Sequence, residues 1–254
     1  MEKSNSCKNI DKLIAKLEFV GHDEDVNELS RKVLFGKETK TVSFLNYHAI
    51  NLANENLNML DALLGSNFLL RDGIGVKKLL DWCEHPSGLN MNGTDFIPLM
   101  MEHCKSRGYG FVVFGGNSEN NIECTNRLVA NGFDVLVSKD GYCEDLYYLN
   151  EISSLEQCSK KIAIILGMGM PRQEILAEKI KSRYPNSGFV IFSGGAIIDR
   201  LSGKVKRGPD ILVRNNLEWL YRFYSNPRRL FRRVVLGGTK FCYSVFRYYI
   251  SCEK

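Results

Sequence analysis

The amino-acid sequence predicts a doubly wound, Rossmann-like α/β fold with a parallel sheet at its core and a basic helical appendage at its C-terminus. Three observations carry this. Short apolar runs alternate with helix-length stretches over the first 200 or so residues, the pattern of a layered α/β domain. Runs such as Ile162-Ala-Ile-Ile-Leu166 are apolar at every position, as strands buried on both faces must be. Glycine-rich turns follow two of these runs and open helices, where open α/β sheets bind their ligands.

Strands are predicted near Leu17–Val20, Thr41–Leu45, Phe68–Arg71, Gly110–Phe114, Asp134–Val137, Ile162–Leu166 and Phe189–Phe192. The intervening helices are predicted near Glu24–Phe35, Tyr47–Leu64, Thr94–Ser106, Ser118–Asn131, Asp145–Gln157 and Arg172–Arg183. A chain of 254 residues with 44% hydrophobic content suffices for one such domain plus an appendage. The boundary falls after Gly208, giving a core of residues 1–208 and an appendage of residues 209–254.

In the appendage, Asp210–Tyr224 has helical character, Asn226-Pro227 breaks it, and Arg228–Val235 starts a second helix. At the helical 100° per residue, Arg228, Arg229, Arg232 and Arg233 share an arc of about 140°, and Leu230, Phe231, Val234 and Val235 fill the opposite arc. Gly237-Gly238 is expected to interrupt, before the aromatic stretch Phe241, Tyr243, Phe246, Tyr248 and Tyr249. Such a segment reads either as an interfacial helix lying on a membrane or as a core-packed helix with a solvated basic face.

Charge is divided unevenly. Residues 200–254 hold 13 Lys and Arg against 3 acidic residues, whereas the net charge of the whole chain is only +5. A basic end on an acidic body implies a polyanionic partner: anionic lipid, nucleic acid or a phosphate-bearing substrate. No stretch of 18 apolar residues is present, so no transmembrane helix is expected. The 8 cysteines are scattered without a CxxC, which fits neither a zinc site nor a disulfide framework. With a polar, charged Met1–Ile10 and no signal peptide, a cytoplasmic location is expected.

Two glycine-rich segments sit at strand ends: Gly167-Met-Gly169-Met-Pro171-Arg-Gln173-Glu174, and Phe114-Gly115-Gly116-Asn117-Ser118. Glycine permits the tight turn, and N–H groups at the following helix start attract phosphate oxygens. Neither segment is a Walker loop or a GxGxxG fingerprint, which disfavours a nicotinamide enzyme. Either turn alone is equally consistent with a plain βα connection. Arg71-Asp72-Gly73-Ile74-Gly75 ends another strand, where Asp72 reads as a general base or, more simply, as a capping residue before a glycine turn. Asn46 suits hydrogen bonding to a sugar or a buried turn equally. The 4 histidines have no ligand spacing, and the Asp-x-Asp motif of many metal-dependent sugar transferases is absent, so no metal is expected.

In order along the chain, Asn46, Asp72-Gly-x-Gly75, Gly93-Thr-Asp95, Phe114-Gly-Gly116, Gly141-Tyr142, the GxGxPxQE segment at 167–174 and Ser193-Gly-Gly-Ala-x-x-Asp199 resemble the WecG/TagA/CpsF glycosyltransferases, glycosyltransferase family 26. Gly203-Lys-x-x-x-Arg207-Gly-Pro209, Leu217-Glu-Trp-Leu-Tyr-Arg222 and Asn226-Pro-Arg-Arg-Leu-Phe-Arg232 extend the resemblance to roughly residues 15–235. It implies inverting transfer of a sugar from a UDP-sugar to an undecaprenyl-diphosphate-linked saccharide, without a catalytic metal or cofactor, in cell-surface polysaccharide biosynthesis. Asp72 matches the family's base, Asn46 and Gln173 match polar pocket residues, and Arg222, Arg229 and Arg232 match arginines of an appendage that closes over the pocket at the membrane. Gly73, Gly75, Asp95, Gly115, Gly116, Tyr142, Gly167, Gly169, Pro171, Glu174, Asp199 and Arg207 complete the expected substrate-binding set. The chain departs from the family pattern at Phe44, where threonine is common, at Asn90, where arginine is common, and at Gly208 in the Arg207-Gly-Pro209 segment. The first two departures point away from transfer of an N-acetylmannosamine-type sugar.

Without a metal, arginines must balance the charge of the departing diphosphate, and guanidinium forks suit its oxygens. The expected location is therefore cytoplasmic and peripheral, on the inner face of a bacterial membrane, with an anionic lipid surface as partner and no nucleic acid. Oligomeric state is not readable, so a homo-oligomer stays open. The rival readings are a nucleotide-binding oxidoreductase, which lacks its acidic ribose ligand here, and a non-enzymatic membrane adaptor, which leaves the ordered pocket motifs without a purpose.

Overall fold

A computed structural model describes residues 4–156, 158–205 and 231–252; for Arg232, Arg233 and Cys252 it describes the backbone alone. Six strands form one sheet: β1 Lys40–Leu45, β2 Phe68–Arg71, β3 Gly110–Gly115, β4 Asp134–Lys139, β5 Ile162–Gly167 and β6 Val190–Ser193. Their order is β2-β1-β6-β5-β3-β4 and every pairing is parallel. β3 and β5 are buried at every position, as their apolar sequences require. β4, at one edge, is only partly covered.

Helices cover both faces, so the predicted doubly wound class holds. On one face, α2 (Asp23–Leu34), α6 (Gly93–Lys105), α7 (Ser118–Ala130) and α10 (Ile197–Leu201) pack over Val42, Phe44, Phe111, Val113, Ile165 and Phe192. On the other face lie α1 (Asn5–Lys16), α3 (Tyr47–Glu55), α4 (Leu57–Gly65) and α5 (Gly73–Trp82), with α8 (Asp145–Ser153) and α9 (Arg172–Arg183) further along. Alternate side chains of each strand feed the two cores: Val112 and Phe114 point one way, Phe111 and Val113 the other.

Several expected elements change. The predicted strand at Leu17–Val20 is reduced to one parallel bridge from Leu17 to Leu69, with Glu18 N–H donating to the Leu69 carbonyl at 2.9 Å. The chain arrives there from α1 and leaves into the capping box of α2, so little of it runs beside β2. The single helix expected over Tyr47–Leu64 is two, because Asn56 leaves helical geometry (φ −136°) and its side chain caps α4 at the Met59 N–H. α5 starts inside what looked like a glycine turn. Only Gly73 has a positive φ there (+82°), whereas Gly75 lies within the helix.

The expected break at Gly237-Gly238 is instead the start of a 16-residue helix, α11 (Gly237–Cys252), preceded by a π-turn over Arg232–Leu236. Phe241, Val245 and Tyr248, spaced one helical turn apart, bury themselves in the core shared with α1, α3, α4 and α5. Packing against that core outweighs the low helix propensity of the two glycines. Tyr248 donates its hydroxyl to Asp11 Oδ1 at 2.6 Å, Asn51 Nδ2 donates to the Gly237 carbonyl at 2.8 Å, and Lys240 pairs with Glu55. The opposite face of α11 leaves Tyr243, Phe246 and Ile250 exposed. Most of the appendage helices predicted from sequence, Asp210–Tyr224 and the start of Arg228–Val235, lie outside the described residues.

Candidate active site

The carboxyl edge of the sheet gathers most of the residues singled out in the sequence. Asn46 follows β1, Asp72 follows β2, Gly115-Gly116 ends β3, Gly141-Tyr142 follows β4, Gly167–Pro171 follows β5 and Gly194-Gly195 follows β6. β3 continues into α7 on one face and β5 into α9 on the other, although the two strands are neighbours. Strand ends whose helices leave to opposite faces mark the usual ligand crevice of such sheets.

One half of the edge is a carboxylate held by an amide. Leu45 and Arg71 are register partners, so the next residues, Asn46 and Asp72, emerge side by side. Asn46 caps α3: its Oδ1 accepts the N–H groups of His48 and Ala49, both at 3.1 Å. That fixes the orientation of its amide, and Nδ2 is left to donate to Asp72 Oδ2 at 3.1 Å. Asp72 occupies the cap position of α5 but makes no side-chain capping bond to it. The capping role that looked simplest from sequence is therefore not what its carboxylate does. Gly73 N–H is taken by Asn90 Oδ1 at 2.7 Å, and Arg71 reaches the carbonyls of Gly73 at 3.2 Å and Gly88 at 3.0 Å. Burial pushes the Arg71 guanidinium below its usual range, opposed by the neighbouring Asp72 carboxylate.

The other half is a set of interlocked loops. Gly116 N–H donates to the Gly167 carbonyl (3.1 Å) and Gly141 N–H to the Gly116 carbonyl (2.9 Å), which ties three strand ends together. Glycine is required at 115, with φ +141°, because a methyl group there would lie 2.3 Å from the Gly167 oxygen. Gln173 and Glu174 are both buried: Gln173 Oε1 accepts the Gly169 N–H at 3.0 Å and its Nε2 donates to Glu174 Oε1 at 2.8 Å. This amide holds the Gly167–Pro171 loop in shape, and Pro171 then starts α9. At about 4.8 Å per strand, β5 and β3 lie roughly 10 and 14 Å from β1, which carries Asn46, with β6 and its Gly194-Gly195 turn between the two halves.

Comparison with known proteins decides what such a crevice belongs to. Residues 14–254 match the Glycosyl transferase WecG/TagA/CpsF family. The chain belongs to that family. It is also similar to an N-acetylglucosaminyldiphosphoundecaprenol N-acetyl-beta-D-mannosaminyltransferase of Bacillus spizizenii, with 28% identity over 178 residues, 69% of this chain and 67% of that protein.

Sequence reasoning missed one residue of this glycosyltransferase. Arg172, the variable position of the GxGxPxQE segment, donates to the Gly141 carbonyl at 2.6 Å and to the Cys143 carbonyl, and pairs with Asp145 at 3.4 Å. Its guanidinium also stacks over the Tyr148 ring, whose hydroxyl donates to the Asp140 carbonyl at 2.6 Å. Arg172 thus locks the backbone of Gly141-Tyr142-Cys143 while the Tyr142 ring stands 79% exposed at the rim. The only signal in the sequence was a cation at the start of a helix, where its charge is unfavourable unless it has carbonyl partners.

The remaining predicted residues fall around the crevice or outside it. Asp199 accepts from Asn120 Nδ2 at 2.7 Å, and Lys204 donates to Asn120 Oδ1 at 3.0 Å. Asp95 pairs with Arg200 at 3.7 Å, so α6, α7 and α10 are joined by polar contacts at the edge. Gly75 faces Tyr47 and Phe241. Phe44 is buried against Phe96 beneath α6. Arg207, Arg222 and Arg229 lie outside the described residues, and of Arg232 the backbone alone is described. Among the described residues no helix is long and apolar enough to cross a membrane, and no three His, Cys, Asp or Glu converge as a metal site.

Proposed function

We propose that this glycosyltransferase carries a sugar, with inversion, from a UDP-sugar to a hydroxyl of an undecaprenyl-diphosphate-linked N-acetylglucosamine. The observation that carries the reading is the Asn46–Asp72 pair at the carboxyl edge. Asp72 takes the proton from the acceptor hydroxyl, the freed oxygen attacks the anomeric carbon from the side opposite the diphosphate, and the bond to UDP breaks. A single displacement of this kind inverts the anomeric centre. The Asn46 amide aims the carboxylate, donating through Nδ2 to Asp72 Oδ2.

The glycine loops after β3 and β5 take the donor diphosphate, and Tyr142 offers a ring on which its base can stack. Arg222, Arg229 and Arg232 balance the charge of departing UDP, with no metal or cofactor. The Bacillus relative supports the acceptor class through its name. Asn90, where the family commonly has arginine, is engaged here with the Gly73 backbone. This and the buried Phe44 favour a sugar other than N-acetylmannosamine. The basic C-terminal region and the exposed Tyr243, Phe246 and Ile250 support a peripheral position on the inner face of the membrane.

The test is a screen of UDP-sugars against a short-chain polyprenyl-diphosphate N-acetylglucosamine, with product linkage assigned by NMR. Transfer from one donor with an inverted linkage supports the reading. Retention of configuration, or no transfer from any UDP-sugar, overturns it.

A further inference from the structure

Phe241 lies 169 residues from Asp72 in sequence, yet its ring ends beside the first turns of both helices that carry the Asn46–Asp72 pair. Tyr47, the first residue of α3 after the Asn46 cap, meets the Phe241 ring at a centroid distance of 6.0 Å. Gly75, in the first turn of α5 after the Asp72 cap, approaches the same two groups. A methyl group at 75 would lie 3.2 Å from Tyr47 Cβ and 3.4 Å from Phe241 Cε1. The ring is buried, and α11 is pinned to α3 nearby through Asn51 and the Gly237 carbonyl.

We propose that Phe241 is a positioning residue: wedged against Tyr47 and Gly75, it sets the spacing of the α3 and α5 N-termini and so holds Asn46 in hydrogen-bond contact with Asp72. Glycine at 75 is then explained by the ring it admits, since its backbone is helical and needs no special φ. Val245 serves as the internal comparison. It belongs to the same helix and the same core, one turn further along, and the three atoms nearest a methyl group at 75 come from Tyr47 and Phe241, not from it. The consequence for activity rests on the proposed role of Asp72; the effect on the pair itself does not.

The experiment therefore reads the pair directly. In the full-length chain with carboxyl-labelled aspartate, the Asp72 signal is assigned with Asp72→Asn and titrated by NMR. Loosening the Asn46 amide removes a donor to the ionised carboxylate, so Phe241→Ala is expected to raise the Asp72 midpoint by about half a pH unit or more. Val245→Ala is expected to leave it in place, and Phe241→Leu to return most of the way. Gly75→Ala pushes the two helices from the other side and should move the midpoint as well. Its combination with Phe241→Leu, which makes room for the new methyl, should restore it. In parallel, Phe241→Ala should lower kcat about tenfold while the UDP dissociation constant, set at the opposite half of the edge, changes less than about twofold.

Equal shifts from Phe241→Ala and Val245→Ala would mean that only the docking of α11 matters and would overturn the proposal. So would an unmoved midpoint in Phe241→Ala or Gly75→Ala. If Phe241→Ala does not fold, Gly75→Ala alone decides, because it leaves every α11 side chain intact. If the midpoints move as expected but wild type transfers no sugar, the positioning stands and the proposed function falls.

Discussion

Replacing Asp72 by asparagine removes one charge and one proton acceptor while keeping shape. The fold should barely register the change. Asp72 makes no capping bond to α5, and an asparagine Oδ1 can still accept from Asn46 Nδ2. What is lost is the charge-assisted part of that bond, the difference between about 1.5–3 kcal/mol for a charged acceptor and about 0.5–1.5 for a neutral one. Weakening of that bond alone lowers stability by about 1 kcal/mol, a few degrees of Tm for a domain of this size. Turnover should fall far more, by about 10²–10⁴-fold, because no base remains within reach of the acceptor hydroxyl. That corresponds to about 3–5 kcal/mol on the barrier. The assay is UDP release coupled to lipid-linked product formation, beside calorimetric UDP binding on the same samples. UDP affinity should stay within about twofold, since the donor loops lie on the other half of the edge. A folded Asp72→Asn enzyme turning over within about threefold of wild type would refute the assignment of the base.

Three further outcomes are expected. Chelation with EDTA should leave transfer unchanged; loss restored by Mg²⁺ or Mn²⁺ would show that a metal, not arginine, neutralises the diphosphate. Arg172→Ala frees the backbone of the Tyr142 loop and should weaken UDP binding about tenfold, about 1.4 kcal/mol, measured by calorimetry. Arg222→Ala should damage transfer more than liposome co-sedimentation, whereas Arg233→Ala should weaken co-sedimentation slightly and spare transfer, since each charge near an anionic surface contributes only about 1 kcal/mol.

The sheet was legible because its central strands β3 and β5 are buried at every position and therefore continuous in apolar residues; all six observed strands were anticipated. The helix α1 was not, because only Cys7, Ile10 and Leu13 of its 12 residues are buried and its surface is polar. Leu17–Val20 failed for the converse reason: apolar residues in a short connector look like a strand until the neighbouring caps are known. Along the carboxyl edge, most of the residues gathered there stand out in the sequence, but their contacts do not. Gln173 and Glu174 bond to each other and to the Gly169 loop, a division of labour that depends on burial and on which amide atom faces which neighbour. Arg172 was passed over since its partners are carbonyls 29 and 31 residues away, and backbone acceptors carry no sequence signature.

The position of α11 bears on how the two halves of the reaction are coordinated. Its inner face is part of the core around α1, α3 and α5, which seats α11 against the helices that follow β1 and β2. Arg232 stands in the π-turn directly before that anchor, nine residues from Phe241. At about 1.5 Å of rise per residue this tethers its backbone within roughly 14 Å of the ring that abuts Tyr47 and Gly75. The base and one proposed leaving-group cation then depend on the same seated helix. Its outer aromatic face remains available to a bilayer at the same time. A partner that engages the exposed Tyr243, Phe246 and Ile250 need not pull α11 from the core, because Phe241, Val245 and Tyr248 hold the opposite face of the helix.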